Sequence, residues 1–185
     1  MNRHGRSRGR RRAVLAAFVI GAATATGLSA SPAMAQQAND IHAAARSGPW
    51  ITREEILRRA ESWLDPSVPY SQWAYQDGYR TDCSGYVSMV WETNGNFWTG
   101  DLNTIAVAIS YDDLRPGDIL LYQNWANPVN GSHVVLFDHW TDDVGGDFTM
   151  YEQTPPNTMH RLWSQAGYSR SLFRPFRYVN VSDSG

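Results

Sequence analysis

The sequence predicts an α+β domain in which N-terminal helices pack on a C-terminal antiparallel sheet. Three observations predict it. Apolar residues recur at helical spacing between positions 52 and 91, and strand-type apolar runs replace them from Leu114 onward. A single cysteine among 185 residues excludes an internal disulfide framework and leaves the fold to a hydrophobic core. With 18% charged residues, eight Trp and nine Tyr, the composition is that of a folded chain rather than a disordered one.

The elements follow in chain order. Arg3, Arg6, Arg8, Arg10, Arg11 and Arg12 open the chain without an acid. An apolar run from Ala13 to Leu28 and then Ser31-Pro32-Ala33-Met34-Ala35 come next. A basic start, a short apolar middle and small residues before the break predict a secretory signal peptide over 1–35, cleaved after Ala35. The run is too rich in Ala, Thr and Gly, and too short, for the ~20 strongly apolar residues of a membrane span. Without the six leader arginines, 10 basic residues face 18 acidic ones, a formal charge of −8. Such a chain has no basic footprint for nucleic acid or anionic lipid. The expected product is a secreted monomer, free of the membrane after processing.

Residues 36–51 read as a linker, and one domain is expected over 52–180. Thr52-Arg53-Glu54-Glu55 is a capping box, and Ile56, Leu57, Ala60, Trp63 and Leu64 continue it as a helix from about Arg53 to Leu64. Asp65-Pro66 ends it. A second helix starts near Asp82, with Cys83, Tyr86, Val87, Val90 and Trp91 on one face and a stop at Asn94-Gly95. The turn Leu114-Arg115-Pro116-Gly117-Asp118 then leads into a strand at 119–122. Further strands are expected at 133–137 and 148–153, and a last at 172–178, where Pro175 favours a sheet edge.

The lone cysteine carries the chemistry. Cys83 falls in the first turn of its helix, where unpaired amides and the helix dipole stabilise an anion. The alternative is a small buried hydrophobe on the apolar face of that helix. Ser84-Gly85 keeps the adjoining turn small enough for a substrate backbone to approach. Among the histidines, His42 lies in the linker, His160 in a Pro/Asn-containing segment, and His139 roughly 20 Å along the strand from His133. His133 opens its strand, where a side chain at the sheet end meets a helix N-terminus. If strands 133–138 and 148–153 form a hairpin, Glu152 or Gln153 lies opposite His133, and both registers close without strain. Matching the His133, Val135, Phe137 face to the Phe148, Met150, Glu152 face favours Glu152. A carboxylate there would hold the imidazole tautomer and stabilise its charged form. The acids Asp142, Asp143 and Asp147 are explained by a polar hairpin turn rather than by a calcium site.

Asp82-Cys83-Ser84-Gly85-Tyr86-Val87, then Leu114-Arg115-Pro116-Gly117-Asp118-Ile119-Leu120, then Ser132-His133-Val134-Val135-Leu136-Phe137 resemble the NlpC family of papain-like cell-wall cysteine peptidases. The resemblance spans roughly residues 52–178. It implies a papain-like NlpC fold with Cys83 as nucleophile, His133 as general base, and Glu152, or its neighbour Gln153, as the polar third member. It also implies that Tyr70 lies beside the active site and that Asp82 and Ser84 bind the substrate's amino end. The activity implied is hydrolysis of amide bonds in peptidoglycan peptides, with neither metal nor other cofactor. An amidase or acyl transferase using the same triad, or a non-catalytic wall-binding module, are the alternatives.

Overall fold

The computed structural model describes residues 31–33, 36–37, 47–142 and 146–183. Most of the expected signal peptide, most of the linker with His42, and Asp143 lie outside these residues. No helix among the described residues is long and apolar enough to cross a membrane.

The strands, in chain order, are β1 (Ile51–Thr52), β2 (Tyr75–Gln76), β3 (Tyr79–Arg80), β4 (Ala106–Ala108), β5 (Ile119–Tyr122), β6 (His133–Trp140), β7 (Phe148–Thr154), β8 (Asn157–Leu162), β9 (Arg174–Tyr178) and β10 (Val181–Ser182). Six of them form one sheet in the order β4-β9-β5-β6-β7-β8, antiparallel throughout. β1 pairs with β10, and β2 with β3. The folded part extends N-terminally of the capping box, because Ile51 and Ser47 are buried and Ser47 carbonyl accepts from the Tyr178 hydroxyl.

The first helix runs Arg53–Glu61 and buries Ile56 and Ala60. Thr52 Oγ1 accepts from the Glu55 amide at 3.1 Å, as the capping box predicts. The reciprocal half is absent: the Glu55 carboxylate accepts instead from Arg58, one turn on, at 2.6 Å. The helix stops short of Leu64, and Trp63 turns fully inward with its indole N–H donating to Asp77 at 2.9 Å. The second helix, Cys83–Val90, is buried along its whole length and packs against the first helix, β3, β6 and β7. It ends before Asn94-Gly95, with Glu92 in the left-handed region at φ 53°.

The sheet has apolar side chains on both faces. Val134, Leu136 and Tyr151 join the core under the two helices, whereas Val135, Phe137, Phe148 and Met150 pack with Trp163 and Phe173 on the other side. One expectation is corrected here: β9 lies inside the sheet despite Pro175. The Pro175 carbonyl accepts from Ile109 at 3.1 Å, just past the last β4 pair, Ala108 with Phe176. A residue's N–H and C=O point to the same side of a strand, so the missing donor faces the end of β4 and removes nothing from the β5 ladder.

Candidate active site

The site begins with a tightly held helix start. Asp82 caps the cysteine helix, its Oδ1 accepting from the Gly85 amide at 2.6 Å. Arg80, at the end of β3, lies beneath that cap. Its Nε donates to Asp82 Oδ2 at 2.7 Å, and its Nη2 donates to Ser84 Oγ at 3.2 Å and to the Phe97 carbonyl at 2.7 Å. The Trp98 ring stacks on the guanidinium, 3.8 Å from carbon to centroid. Gly85 serves this contact rather than a substrate's approach, because a Cβ there would stand 2.1 Å from the Arg80 carbonyl oxygen.

Cys83 is thereby fixed at the floor of a groove of about 820 Å³. The His133 imidazole, which enters from the first residue of β6, lines the same groove, and Cys83 is among the groups that raise its pKa. The ring's Nε2 donates to Glu152 Oε2 at 2.9 Å, which leaves Nδ1 as the nitrogen open to another partner. Burial pushes the His133 pKa down, but the hydrogen bonds to Cys83 and Glu152 and the attraction of both for the imidazolium outweigh it and raise the value to about 9.

Glu152 is fully buried and held from three directions. Besides His133, Arg161 Nε donates to Oε1 at 2.5 Å and the Tyr168 hydroxyl donates to Oε2 at 2.9 Å. Burial alone would raise its pKa; these donors and the charge of His133 reverse the direction and keep it ionised. Tyr168 also lies against the His133 ring, with centroids 5.2 Å apart, and Phe173 meets that ring edge-on at 6.4 Å. Arg161 and Tyr168 were not singled out in the sequence, since each acts through a contact distant along the chain.

The face argument that favoured Glu152 reaches the residue that touches His133, but the register differs. Leu136 pairs with Tyr151 and Phe137 with Met150, a displacement of two residues from direct opposition of His133 and Glu152. The two side chains meet on a diagonal. A β-bulge at Asp138 decides which residue is available. Beyond it, His139 pairs with Thr149 and Trp140 with Phe148. Had that register continued, the His133 face would have been shared with Gln153, because a one-residue slip flips every side chain to the other face. Gln153 instead points away, fully buried, with its Nε2 donating to the Val68 carbonyl at 3.1 Å.

The remaining sequence candidates are placed as follows. Tyr70 borders the groove, and burial, followed by the negative charge of Cys83, raises its hydroxyl pKa. Asp82 and Ser84 also border the groove, but both side chains are engaged by Arg80 and the helix start. His139 and His160 belong to a separate cluster, where each ring donates to Asp138 Oδ2 at 2.8 Å, and His160 stacks on Tyr151. Among the described residues, no group of three or more His, Cys, Asp or Glu side chains is arranged to hold a metal ion.

No family model matches the chain, and no curated protein does. Solved structures do. The chain is similar to an NlpC/P60 family protein from Bacillus cereus ATCC 10987, with a TM-score of 0.51 and 20% identity over 71% of this chain. It spans 41% of that protein's length. NlpC1 from Trichomonas vaginalis aligns with a TM-score of 0.45 at 16% identity, over 65% of this chain and 42% of its own. At this level of identity the likeness is one of fold: a mixed α/β domain with a six-stranded antiparallel sheet, shared with a solved NlpC/P60 family protein.

Proposed function

We propose that the chain is a papain-like cysteine hydrolase that cleaves amide bonds of cell-wall peptides after export. One observation carries the reading: a thiol at a helix start and an imidazole border one groove, and a buried carboxylate stands behind the imidazole, 2.9 Å from its Nε2. His133 takes the Cys83 proton, and the sulfur attacks the substrate carbonyl carbon. The Cys83 backbone amide, in a first turn whose N–H groups have no intrahelical acceptor, faces the developing oxyanion. The imidazolium then protonates the leaving amine. A water deprotonated by His133 hydrolyses the thioester and restores the thiol. Glu152, fixed by Arg161 and Tyr168, holds the ring with Nδ1 toward sulfur and favours its charged form.

The cell-wall substrate and secretion rest on the motif resemblance and on the composition of the first 35 residues. The test is digestion of defined peptidoglycan fragments followed by mass spectrometry, alongside iodoacetamide labelling near neutral pH. The wild type is expected to release shortened peptides and to be alkylated at Cys83, and Cys83→Ala to release none. Release by Cys83→Ala at the wild-type rate would overturn the mechanism.

A further inference from the structure

Asp138 lies further along β6 than His133 and does not border the groove, yet it is the residue at which the β6–β7 register changes. The two halves of β6 take their register from different partners. At the hairpin end, the Thr141 amide donates to the Asp147 carbonyl at 3.0 Å, and Trp140 pairs with Phe148. At the His133 end, β5 sets the ladder: Tyr122 pairs with His133 and Ile119 with Leu136, and the Phe137 amide donates to the Asp118 carbonyl at 2.8 Å. The two registers differ by one residue, and Asp138 absorbs the difference. A bulged residue forfeits its place in the ladder, and at 8% exposure this one has little water in exchange. Protein donors take that place. Asp138 Oδ2 accepts from Thr149 Oγ1 on β7, from His160 Nε2 on β8 and from His139 Nδ1 beside it, each at 2.8 Å. Burial would raise the carboxyl pKa; the hydrogen bonds from His160 and Thr149 and the attraction of both imidazoles reverse the direction. His160 in turn stacks on Tyr151 at 4.1 Å, and the Tyr151 hydroxyl donates to Glu61, at the end of the first helix, at 3.3 Å. One carboxylate thus ties three strands together at the step in register.

We infer that Asp138, held by Thr149 and His160, is a positioning residue that locks the bulge and so keeps Glu152, rather than Gln153, on the His133 face. The hairpin register carried straight through would present Gln153 to His133 instead. An amide can orient an imidazole but carries no charge to stabilise its protonated form. The consequence for turnover rests on the hydrolase reading, whereas the pairing of His133 with Glu152 is measurable without substrate.

The test follows the His133 imidazole by NMR as a function of pH in the full chain, its signals assigned with His133→Gln. The wild-type midpoint is expected near 9. Asp138→Ala should lower it by at least about one pH unit, in the direction of Glu152→Gln. The double variant should titrate like Glu152→Gln alone, because both changes act through one contact. A long-range loss of charge would instead act equally with and without Glu152. A lower urea midpoint for Asp138→Ala with an unchanged His133 titration would mean a purely structural role and overturns the inference. So do additive shifts in the double variant, or a wild-type midpoint at the ordinary value. If Asp138→Ala does not fold, Thr149→Val, which removes one donor and keeps a β-branched strand residue, decides by the same measurement: a lowered midpoint supports the inference and an unchanged one overturns it. Peptidoglycan digestion separates the two readings. If the titrations shift as expected but the wild type releases no peptide, the hydrolase reading fails and the positioning role stands.

Discussion

Replacing His133 with Gln is expected to lower amide turnover by about 10³-fold while leaving the fold intact. The substitution keeps a polar side chain beside Glu152 but removes the imidazole, which interacts with both Cys83 and that carboxylate. The pH profile gives the sharper reading. With the His133 value raised to about 9, the imidazolium that would protonate the leaving amine in the proposed reaction is available through neutral pH, and the alkaline limb of activity should fall near pH 9. In Glu152→Gln, a major cause of that raised value is gone, so the limb should move toward the ordinary 6.5. Stability follows the same sign. A group raised on folding contributes in full below the unfolded value and loses the contribution as pH rises through the folded one. The stability gap between wild type and His133→Gln should therefore be widest below about pH 6.5 and close as pH approaches 9 and beyond. Activity and denaturant midpoints measured across pH 5.5–9.5 check both. A profile insensitive to Glu152→Gln would remove the carboxylate from the mechanism.

The elements that carry the candidate site were legible because each announces itself locally. Cys83, Tyr86, Val87 and Val90 repeat at helical spacing behind a capping aspartate, and β5, β6 and β7 are buried enough to read as apolar runs. Within the six-stranded sheet, the two strands that the sequence concealed, β4 and β8, are its edges. An edge strand pairs on one side only, and these two are largely exposed or half-buried, so Asn157–Leu162 reads as a polar segment. Pro175 misled in the reverse direction, because its effect depends on which neighbour its nitrogen faces. The carboxylate that meets His133 was legible only by face matching. The bulge at Asp138 sets that face, and no residue pattern around Phe137-Asp138-His139 announces a bulge. Arg161 and Tyr168 were hidden for a different reason: their roles arise from β7–β8 pairing and from the turn after residue 163, neither of which was anticipated.

Arg80→Met is expected to be the most damaging single change outside the triad, lowering stability by about 3–5 kcal/mol. Arg80 is 4% exposed, and its guanidinium meets Asp82, Ser84, the Phe97 carbonyl and the Trp98 face at once. Its loss strands a buried carboxylate at 2% exposure and takes away the guanidinium donor to the Phe97 carbonyl. It also removes the support beneath the helix start that carries Cys83. If an uncompensated charge is the cause, adding Asp82→Asn to Arg80→Met should recover a large part of the loss, because the amide oxygen still caps Gly85 while the charge is gone. Asp82→Asn alone should cost less than Arg80→Met, since Arg80 keeps its carbonyl and hydroxyl acceptors. Urea denaturation of the three variants measures the coupling. Strictly additive losses would mean that the pair contributes by packing rather than by charge.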